Sequence, residues 1–156
     1  MKISTVSFYA AAATLSVALS VSSTFAQSPS STPGGQVGTS TTPAGEFLVD
    51  SQGNSLYVFA SDTENHSNCT GDCETAWPPL KVQNGAIPYT PTASGDVQST
   101  LLNTALRPDG STQVTYAGQP LYLYAGDTQP GQTKGQGLNQ FGGVWNLVKP
   151  DGQKLP

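Results

Sequence analysis

The sequence contains an eight-residue segment twice, and this internal repeat constrains the fold more than any other feature. Residues 56–63 read LYVFASDT and residues 121–128 read LYLYAGDT, so that five of the eight positions are identical. A short apolar run and a turn precede each copy, and a polar loop followed by a tryptophan, Trp77 or Trp145, comes after it. Two such units can each cover the apolar surface that the other leaves exposed. The repeat therefore predicts one domain of two pseudo-symmetric halves, at about residues 46–85 and 112–153.

The composition around both copies is typical of short β-strands. Runs of four to six residues rich in Val, Tyr, Phe and Thr, bounded by Gly, Asn, Asp or Pro, indicate antiparallel hairpins. Residues 107–111 (RPDGS) combine the Pro, Asp and Gly of a tight turn. The fold class predicted is all-β and mostly antiparallel, built from short hairpin and meander strands with one or two short helical turns. The expected meander strands are 104–107, 112–116 and 121–124, and the expected helical turns are 71–76 and 96–103.

The first 26 residues have the organisation of a secretory signal peptide. Lys2 precedes an apolar and small-residue run, and the small residues Thr24 and Ala26 favour cleavage after Ala26. Several Ser and Thr residues interrupt the run, which makes it a poor membrane span, and no cysteine lies near the cleavage site for lipid attachment. We therefore expect a secreted protein, periplasmic or extracellular, with no membrane span after cleavage.

Residues 27–45 (QSPSSTPGGQVGTSTTPAG) consist almost entirely of Ser, Thr, Pro, Gly and Gln. Val37 is the one sizeable aliphatic residue among them, so the segment buries too little apolar surface to offset the entropy lost on ordering. We therefore expect a flexible leader at residues 27–45 and a single β domain over residues 46–156.

Basic residues are few and scattered, which excludes two large classes of binding protein. After removal of residues 1–26, five Lys and Arg residues remain against ten Asp and Glu, a formal net charge of −5. Proteins that bind nucleic acids or anionic membranes need clustered positive charge to displace counterions. We therefore expect no nucleic-acid partner. The five basic residues are Lys81, Arg107, Lys134, Lys149 and Lys154.

Cys69 and Cys73 are the two cysteines of the chain. In an exported protein, two cysteines this close most often form a disulfide. A helical turn or compact bend over residues 69–73 can bring their Cα atoms within the roughly 4.4–6.8 Å that the bond requires. The spacing therefore predicts a local structural disulfide.

Two other interpretations of this loop remain open. A redox-active dithiol needs a lowered thiol pKa, which the adjacent Asp72 and Glu74 disfavour. A closed zinc site needs four nitrogen or sulfur ligands, and here the single histidine, His66, and a carboxylate such as Asp62 would have to supplement the two sulfurs. The simplest interpretation of His66 is an exposed loop residue.

The repeated Tyr-x-aromatic-x-x-Asp segments place several aromatic residues and one aspartate in each half. Tyr57 and Phe59 should face one side of their strand and Val58 the other. We expect most aromatic residues to be core, although one stripe could remain half-exposed as a platform for a sugar, a peptide or a cofactor ring. Each aspartate should end its strand in an Asx-type turn, accepting backbone N–H groups two residues on. The motif positions are Tyr57, Phe59, Asp62, Trp77, Tyr122, Tyr124, Asp127 and Trp145.

These motifs resemble a bacterial family, the secreted repeat of unknown function, whose members are predicted lipoproteins and periplasmic proteins. The resemblance also covers the Cys69 to Cys73 loop followed by AWPPL, the RPDG turn running into QVTY, and Gly135-Gln136-Gly137. It spans nearly all of residues 46–153. It implies a cell-envelope setting but supplies no activity and no catalytic residue.

The sequence favours an exported, non-enzymatic module that binds an unidentified envelope protein or small ligand, or that serves structurally. No nucleophile and base are paired in a recognisable motif, so we assign no catalytic residue and no cofactor. The alternative function is redox or metal chemistry at the loop that contains Cys69, Cys73 and His66.

Overall fold

Short β-strands are the main regular structure of residues 35–82 and 91–156, the parts of the chain that this computed structural model describes. The signal peptide predicted at residues 1–26 and the first part of the leader lie outside them. The strands are β1 (Gln36–Thr42), β2 (Gly45–Asp50), β3 (Tyr57–Phe59), β4 (Thr92–Ala93), β5 (Leu102–Leu106), β6 (Thr112–Tyr116), β7 (Gln119–Pro120), β8 (Asn139–Gln140) and β9 (Gly143–Leu147). They form three small sheets in the orders β2-β1-β4, β3-β9-β8 and β5-β6-β7. The β1–β4 pair is parallel and the other pairs are antiparallel, which confirms the all-β class.

Helical structure is limited to two short segments within the described residues. Helix α1 (Asp72–Ala76) occupies the predicted turn at 71–76. A single 3-10 turn (Ser99–Leu101) occupies part of residues 96–103 and leads directly into β5. Neither segment reaches the length and hydrophobicity that a membrane crossing requires.

The predicted meander is present, but its third strand lies earlier in the chain than expected. The RPDGS turn closes with hydrogen bonds from Arg107 N to Ser111 O (2.8 Å) and from Gly110 N to Arg107 O (3.0 Å). β7 then pairs with β6 at residues 119–120, rather than at 121–124. Leu121 still donates its N–H to Val114 O of β6 (3.0 Å), and the chain leaves this sheet at Tyr122, which forms a two-way backbone bridge to Tyr57 in the other repeat.

The prediction of a flexible leader up to residue 45 is wrong for residues 36–45. β1 forms a hairpin with β2, with Val37 opposite Asp50 and Thr42 opposite Gly45. Val37 is fully buried in the core. Polar composition misled the prediction because ladder hydrogen bonds and one buried aliphatic side chain suffice to order a strand whose hairpin partner is apolar. The β1–β2 hairpin is also the counterpart of the β5–β6 hairpin in the second repeat, where Leu102 lies opposite Tyr116.

The two halves interlock through matching backbone hydrogen bonds. Leu48 N donates to Val148 O (2.8 Å) in one place, and Val114 N donates to Leu80 O (2.8 Å) in the other. Leu80 and Val148 each lie three residues after the tryptophan of their own repeat. Each repeat therefore lends the segment after its tryptophan to the other repeat, as an approximate two-fold relation requires. These contacts confirm that the halves are pseudo-symmetric.

The core has an aliphatic part and an aromatic part. Leu56 and Val58 belong to the aliphatic cluster, whereas Tyr57 and Phe59 belong to the aromatic cluster together with Trp77 and Trp145. The predicted alternation across this strand is therefore confirmed. The aromatic cluster also contains both cysteines.

Replacing Val37 with Ala should lower the free energy of unfolding by about 2 kcal/mol, because a fully buried side chain leaves a cavity. Urea unfolding of the mature chain measures this change. Val144→Ala is the control, since Val144 is an exposed strand residue whose truncation should change stability by no more than about 0.5 kcal/mol. Equal effects of the two substitutions would show that β1 does not contribute to the core.

Candidate functional site

The tyrosine and the aspartate of the repeated motif bond across the two repeats rather than within one. The Tyr57 hydroxyl donates to Asp127 Oδ2 at 2.6 Å, and the Tyr122 hydroxyl donates to Asp62 Oδ2 at 2.7 Å. Both tyrosines are fully buried, and both aspartates are partly buried. The motif is therefore a reciprocal clamp that joins the two halves.

The second oxygen of each aspartate holds a loop that follows it. Asp62 Oδ1 accepts the backbone N–H of Asn68 (2.8 Å), and Asp127 Oδ1 accepts the backbone N–H of Lys134 (2.9 Å). The predicted Asx-type turns, with donors two residues on, are therefore wrong. The carboxylates bridge longer loops because their strands end beside the hydroxyl of the opposite repeat, which fixes their orientation.

Four aromatic rings stack in one column between the two clamps. Phe59 lies 4.3 Å from Trp145, Trp145 lies 3.9 Å from Trp77, and Trp77 lies 4.3 Å from Tyr124, with interplanar angles of 12°, 4° and 28°. The rings alternate between the first and second repeats along the column. Each clamp tyrosine packs edge-on against one indole, Tyr57 on Trp77 at 5.4 Å and Tyr122 on Trp145 at 5.1 Å. Such pairs stabilise a fold by about 0.5–1.5 kcal/mol each beyond area burial.

Gly135 and Gly143 allow the backbone to approach this column closely. A Cβ atom on Gly135 would lie 2.8 Å from both the Trp77 and the Tyr57 rings, and one on Gly143 would lie 2.8 Å from the Phe59 ring. The Gly135 N–H also donates to the Tyr57 hydroxyl at 3.2 Å. A larger residue at either position would displace the aromatic rings.

Burial sets the protonation of the clamp. Desolvation, followed by the hydrogen bond and the charge of Asp127, raises the pKa of Tyr57 well above its ordinary value. Desolvation, followed by the charge of Asp62, raises the pKa of Tyr122 in the same way. The pKa of Asp62 is also raised by desolvation, although the Asn68 N–H and the Tyr122 hydroxyl act in the opposite direction. Both phenols are therefore neutral donors at ordinary pH.

A buried arginine joins the Tyr122–Asp62 clamp to the cysteine loop, and its place in the RPDGS turn was the only sequence signal at this residue. The Arg107 guanidinium donates to Ser67 Oγ (2.7 Å), Gln113 Oε1 (2.5 Å), Cys69 O (2.7 Å) and Glu74. Ser67 Oγ in turn lies 2.7 Å from the Tyr122 hydroxyl. Arg107 Nε has no partner within the described residues. Removing a hydrogen-bond partner from a buried charge is strongly destabilising. The hydrogen bonds of Arg107 therefore hold the cysteine loop in place beside the Tyr122–Asp62 clamp.

The cysteine loop is placed as the sequence predicted. Cys69 and Cys73 are joined by a disulfide, with Cα atoms 5.2 Å apart, and both side chains are buried. His66 is exposed, and its backbone pairs with Thr63. Within the ranges 35–82 and 91–156, no three His, Cys, Asp or Glu side chains are arranged to hold a metal ion.

Two surface clefts lie at the two ends of the aromatic column. The Tyr124 cleft, of about 210 Å³, is lined by Asn54, Ser55, Pro78, Leu123, Tyr124, Ala125 and Asp127. The second cleft, of about 300 Å³, includes Phe59, Ala60, Asp62, Glu64, Gln119 and Lys154. Phe59, Ala60 and Asp62 are the repeat counterparts of Tyr124, Ala125 and Asp127. The clefts are therefore equivalent in position but differ in chemistry, since Tyr124 is half-buried whereas Phe59 is buried.

A family model described as the secreted repeat of unknown function matches residues 38–81 and 103–149. The two matched segments contain the two clamp motifs, both tryptophans and most of the hairpin that precedes each motif. Comparison with curated proteins and with solved structures gives no significant match to either.

Alkaline pH should unfold the protein through the clamp tyrosines. Because folding raises the pKa of Tyr57 and Tyr122, their contribution to stability is complete below the ordinary phenol pKa of about 10 and is lost as the pH rises above it. Urea unfolding at increasing pH, followed together with tyrosinate absorbance, measures this effect. Tyr57→Phe and Tyr122→Phe should each make the pH dependence shallower. Ionisation of both phenols in a fully folded protein would contradict the prediction.

The disulfide should stabilise the fold without being required for it. Replacing both Cys69 and Cys73 with Ala should lower the free energy of unfolding by about 2 kcal/mol, the loop-entropy value for so short a loop. Mass analysis after alkylation without reductant should detect no free thiol in the unmodified protein. Two alkylated cysteines, or a double variant as stable as the parent, would contradict this expectation.

Proposed function

The chain belongs to the family of the secreted repeat of unknown function, and on this premise we propose that it is an exported, non-enzymatic module that binds one saccharide unit in the Tyr124 cleft. The family is described as secreted. The predicted signal peptide and the Cys69–Cys73 disulfide support an oxidising compartment outside the cytoplasm, periplasmic or extracellular.

The half-buried ring of Tyr124 is the observation that carries this proposal. It ends the aromatic column, so that its inner face is stacked on Trp77 at 4.3 Å and its position is fixed. Pro78 and Leu123 extend the apolar floor of the cleft beside it. The part of this ring that lines the cleft, held rigidly between Trp77 and the backbone of Gly126, suits the apolar face of a sugar ring, since little entropy is lost on binding.

Polar groups at the rim of the cleft suit the hydroxyl groups of a sugar. The Asn54 side-chain nitrogen donates to Asp50 Oδ2 at 2.9 Å, which directs its amide and leaves the amide oxygen without a hydrogen bond in the described part of the chain. Each Asp127 oxygen accepts one hydrogen bond from the described residues, and a carboxylate oxygen has capacity for about two. An apolar floor with a few oriented polar groups is the usual composition of a small-molecule site.

The volume of the cleft limits the ligand to one ring. Pockets for drug-sized molecules occupy about 300–1,000 Å³, whereas this cleft holds about 210 Å³. A monosaccharide, or one unit of a longer glycan that continues into solvent, fits this limit. Binding through a single unit predicts weak affinity, with a Kd on the order of 1 mM.

Binding rather than catalysis is supported by the state of the motif residues. Both aspartates and both clamp tyrosines are committed to hydrogen bonds that join the two halves. The alternative of redox or metal chemistry at Cys69, Cys73 and His66 is disfavoured because the two sulfurs are buried and joined to each other. A free-thiol assay and metal analysis of protein purified from its native compartment test that alternative directly.

Titration of the mature protein with methyl glycosides of hexoses and N-acetylhexosamines tests the proposed function. Saturation-transfer NMR should detect contact with at least one glycoside, and Trp77 fluorescence should change because its indole contacts Tyr124. Tyr124→Ala should abolish binding, whereas Tyr124→Phe should retain it because the ring remains. Phe141→Ala, which removes an exposed aromatic ring outside the cleft, is the matched control. Equal binding by Tyr124→Ala and the parent protein, or no binding of any glycoside at about ten times the expected 1 mM Kd, would refute the proposal.

A further inference from the structure

Three tyrosines are fully buried in the described residues, and two of them differ from the third in the group that accepts their hydroxyl proton. Tyr57 and Tyr122 donate to the carboxylates of Asp127 and Asp62. Tyr116 donates instead to the backbone carbonyl of Pro150, at 2.6 Å. An ionised carboxylate is a strong enough base to take the proton of an oxidised phenol, which is very acidic, whereas a backbone carbonyl is a far weaker base.

The same two tyrosines are the ones that contact the stacked indoles. Tyr57 meets Trp77 and Tyr122 meets Trp145, and the indoles lie 3.9 Å apart and nearly parallel. Tyr116 belongs to the aliphatic part of the core. The column thus connects two phenol–carboxylate pairs to each other and, through Tyr124, to the surface.

We propose that this column takes up a one-electron oxidising equivalent at the Tyr124 cleft and holds it as a neutral radical on Tyr57 or Tyr122, with Asp127 and Asp62 as the proton acceptors. The radical chemistry shares the Tyr124 cleft with the proposed saccharide site but does not require a bound saccharide. Its co-reactant is an outer-sphere one-electron oxidant that reaches the part of the half-buried Tyr124 ring that lines the cleft.

The step is balanced in electrons and protons. The oxidant takes one electron from the stacked rings and is thereby reduced by one electron. The oxidised ring is reduced by the ring that it contacts, and the last electron donor is Tyr57. As Tyr57 loses its electron, its phenolic proton moves along the 2.6 Å hydrogen bond to Asp127. One O–H bond breaks on the tyrosine and one forms on the carboxylate, which leaves a phenoxyl radical, a carboxylic acid and the reduced oxidant. Tyr122 and Asp62 make the equivalent exchange through Trp145.

The hydrogen-bond distances and the burial of the two tyrosines both suit this role. Proton transfer needs donor and acceptor heavy atoms about 2.6–3.2 Å apart, and both pairs satisfy this requirement without rearrangement. A fully buried phenoxyl ring also cannot couple with a tyrosine of another molecule. The raised pKa of Asp62 strengthens it as a proton acceptor and so supports the second pair.

Photochemical oxidation of the whole mature protein tests the proposal, with ruthenium(III) tris(bipyridyl) generated by a flash as the oxidant. Electron paramagnetic resonance should detect a long-lived neutral tyrosyl radical. The Tyr57→Phe/Tyr122→Phe double variant should lose this signal, whereas Tyr116→Phe should retain it. The double variant's thermal unfolding curve shows whether it is folded.

Asparagine variants separate proton transfer from simple bracing. Asp62→Asn and Asp127→Asn keep a hydrogen-bond acceptor but remove the base, so each should lose the radical on its own partner tyrosine while remaining folded. Combining Asp127→Asn with Tyr122→Phe should remove the long-lived radical altogether, even if the double phenylalanine variant does not fold. An unchanged radical yield and lifetime in the combined Asp127→Asn/Tyr122→Phe variant, or loss of the signal in Tyr116→Phe, would overturn the proposal.

Discussion

The reciprocal tyrosine–aspartate clamp is the interaction on which the rest of the structure depends. Tyr57 and Asp127 are 70 residues apart in the chain, and Tyr122 and Asp62 are 60 residues apart. In each bond, the buried phenol of one repeat donates to a carboxylate of the other repeat. Neither repeat alone therefore provides the hydrogen-bond acceptor for its own buried tyrosine. Because the carboxylates also hold the following loops through Asn68 and Lys134, the clamp determines where the aromatic column and both clefts lie.

The column and the clamp support each other. The clamp fixes the edges of Tyr57 and Tyr122 against the two indoles, and the stacked indoles exclude water from the phenol hydroxyls. In the low dielectric that results, a satisfied hydrogen bond is stronger and an unsatisfied one more costly. Gly135 and Gly143 permit this density, since a side chain at either position would enter the space of the rings. The half-buried Tyr124 is the place where this rigid interior reaches the surface.

Much of this arrangement could be predicted from the sequence, and the reasons for the failures are physical. The repeat predicted two equivalent halves, the alternation at Tyr57, Val58 and Phe59 predicted which side chains enter the aromatic core, and the RPDGS segment predicted its turn. These features depend on neighbours in the chain. The acceptors of Tyr57 and Tyr122, and the buried Arg107 beneath the cysteine loop, depend on contacts between distant residues that no local pattern records. β1 was missed because its polar composition concealed one buried valine, although its counterpart β5 precedes β6 in the second repeat.

The exchange of segments between repeats has a consequence for how the chain folds as it leaves the cell interior. The Val148 carbonyl accepts the backbone hydrogen bond of Leu48 in the first half, and it lies 100 residues further along the chain. An emerging chain therefore cannot finish its first half until the second repeat has crossed as well, and until then the Trp77 indole lacks the Trp145 indole on which it stacks. Contacts at such long sequence separation also slow folding. A fragment that carries a single repeat would have one way to complete its ladder and its stack, which is to borrow both from a second copy of itself.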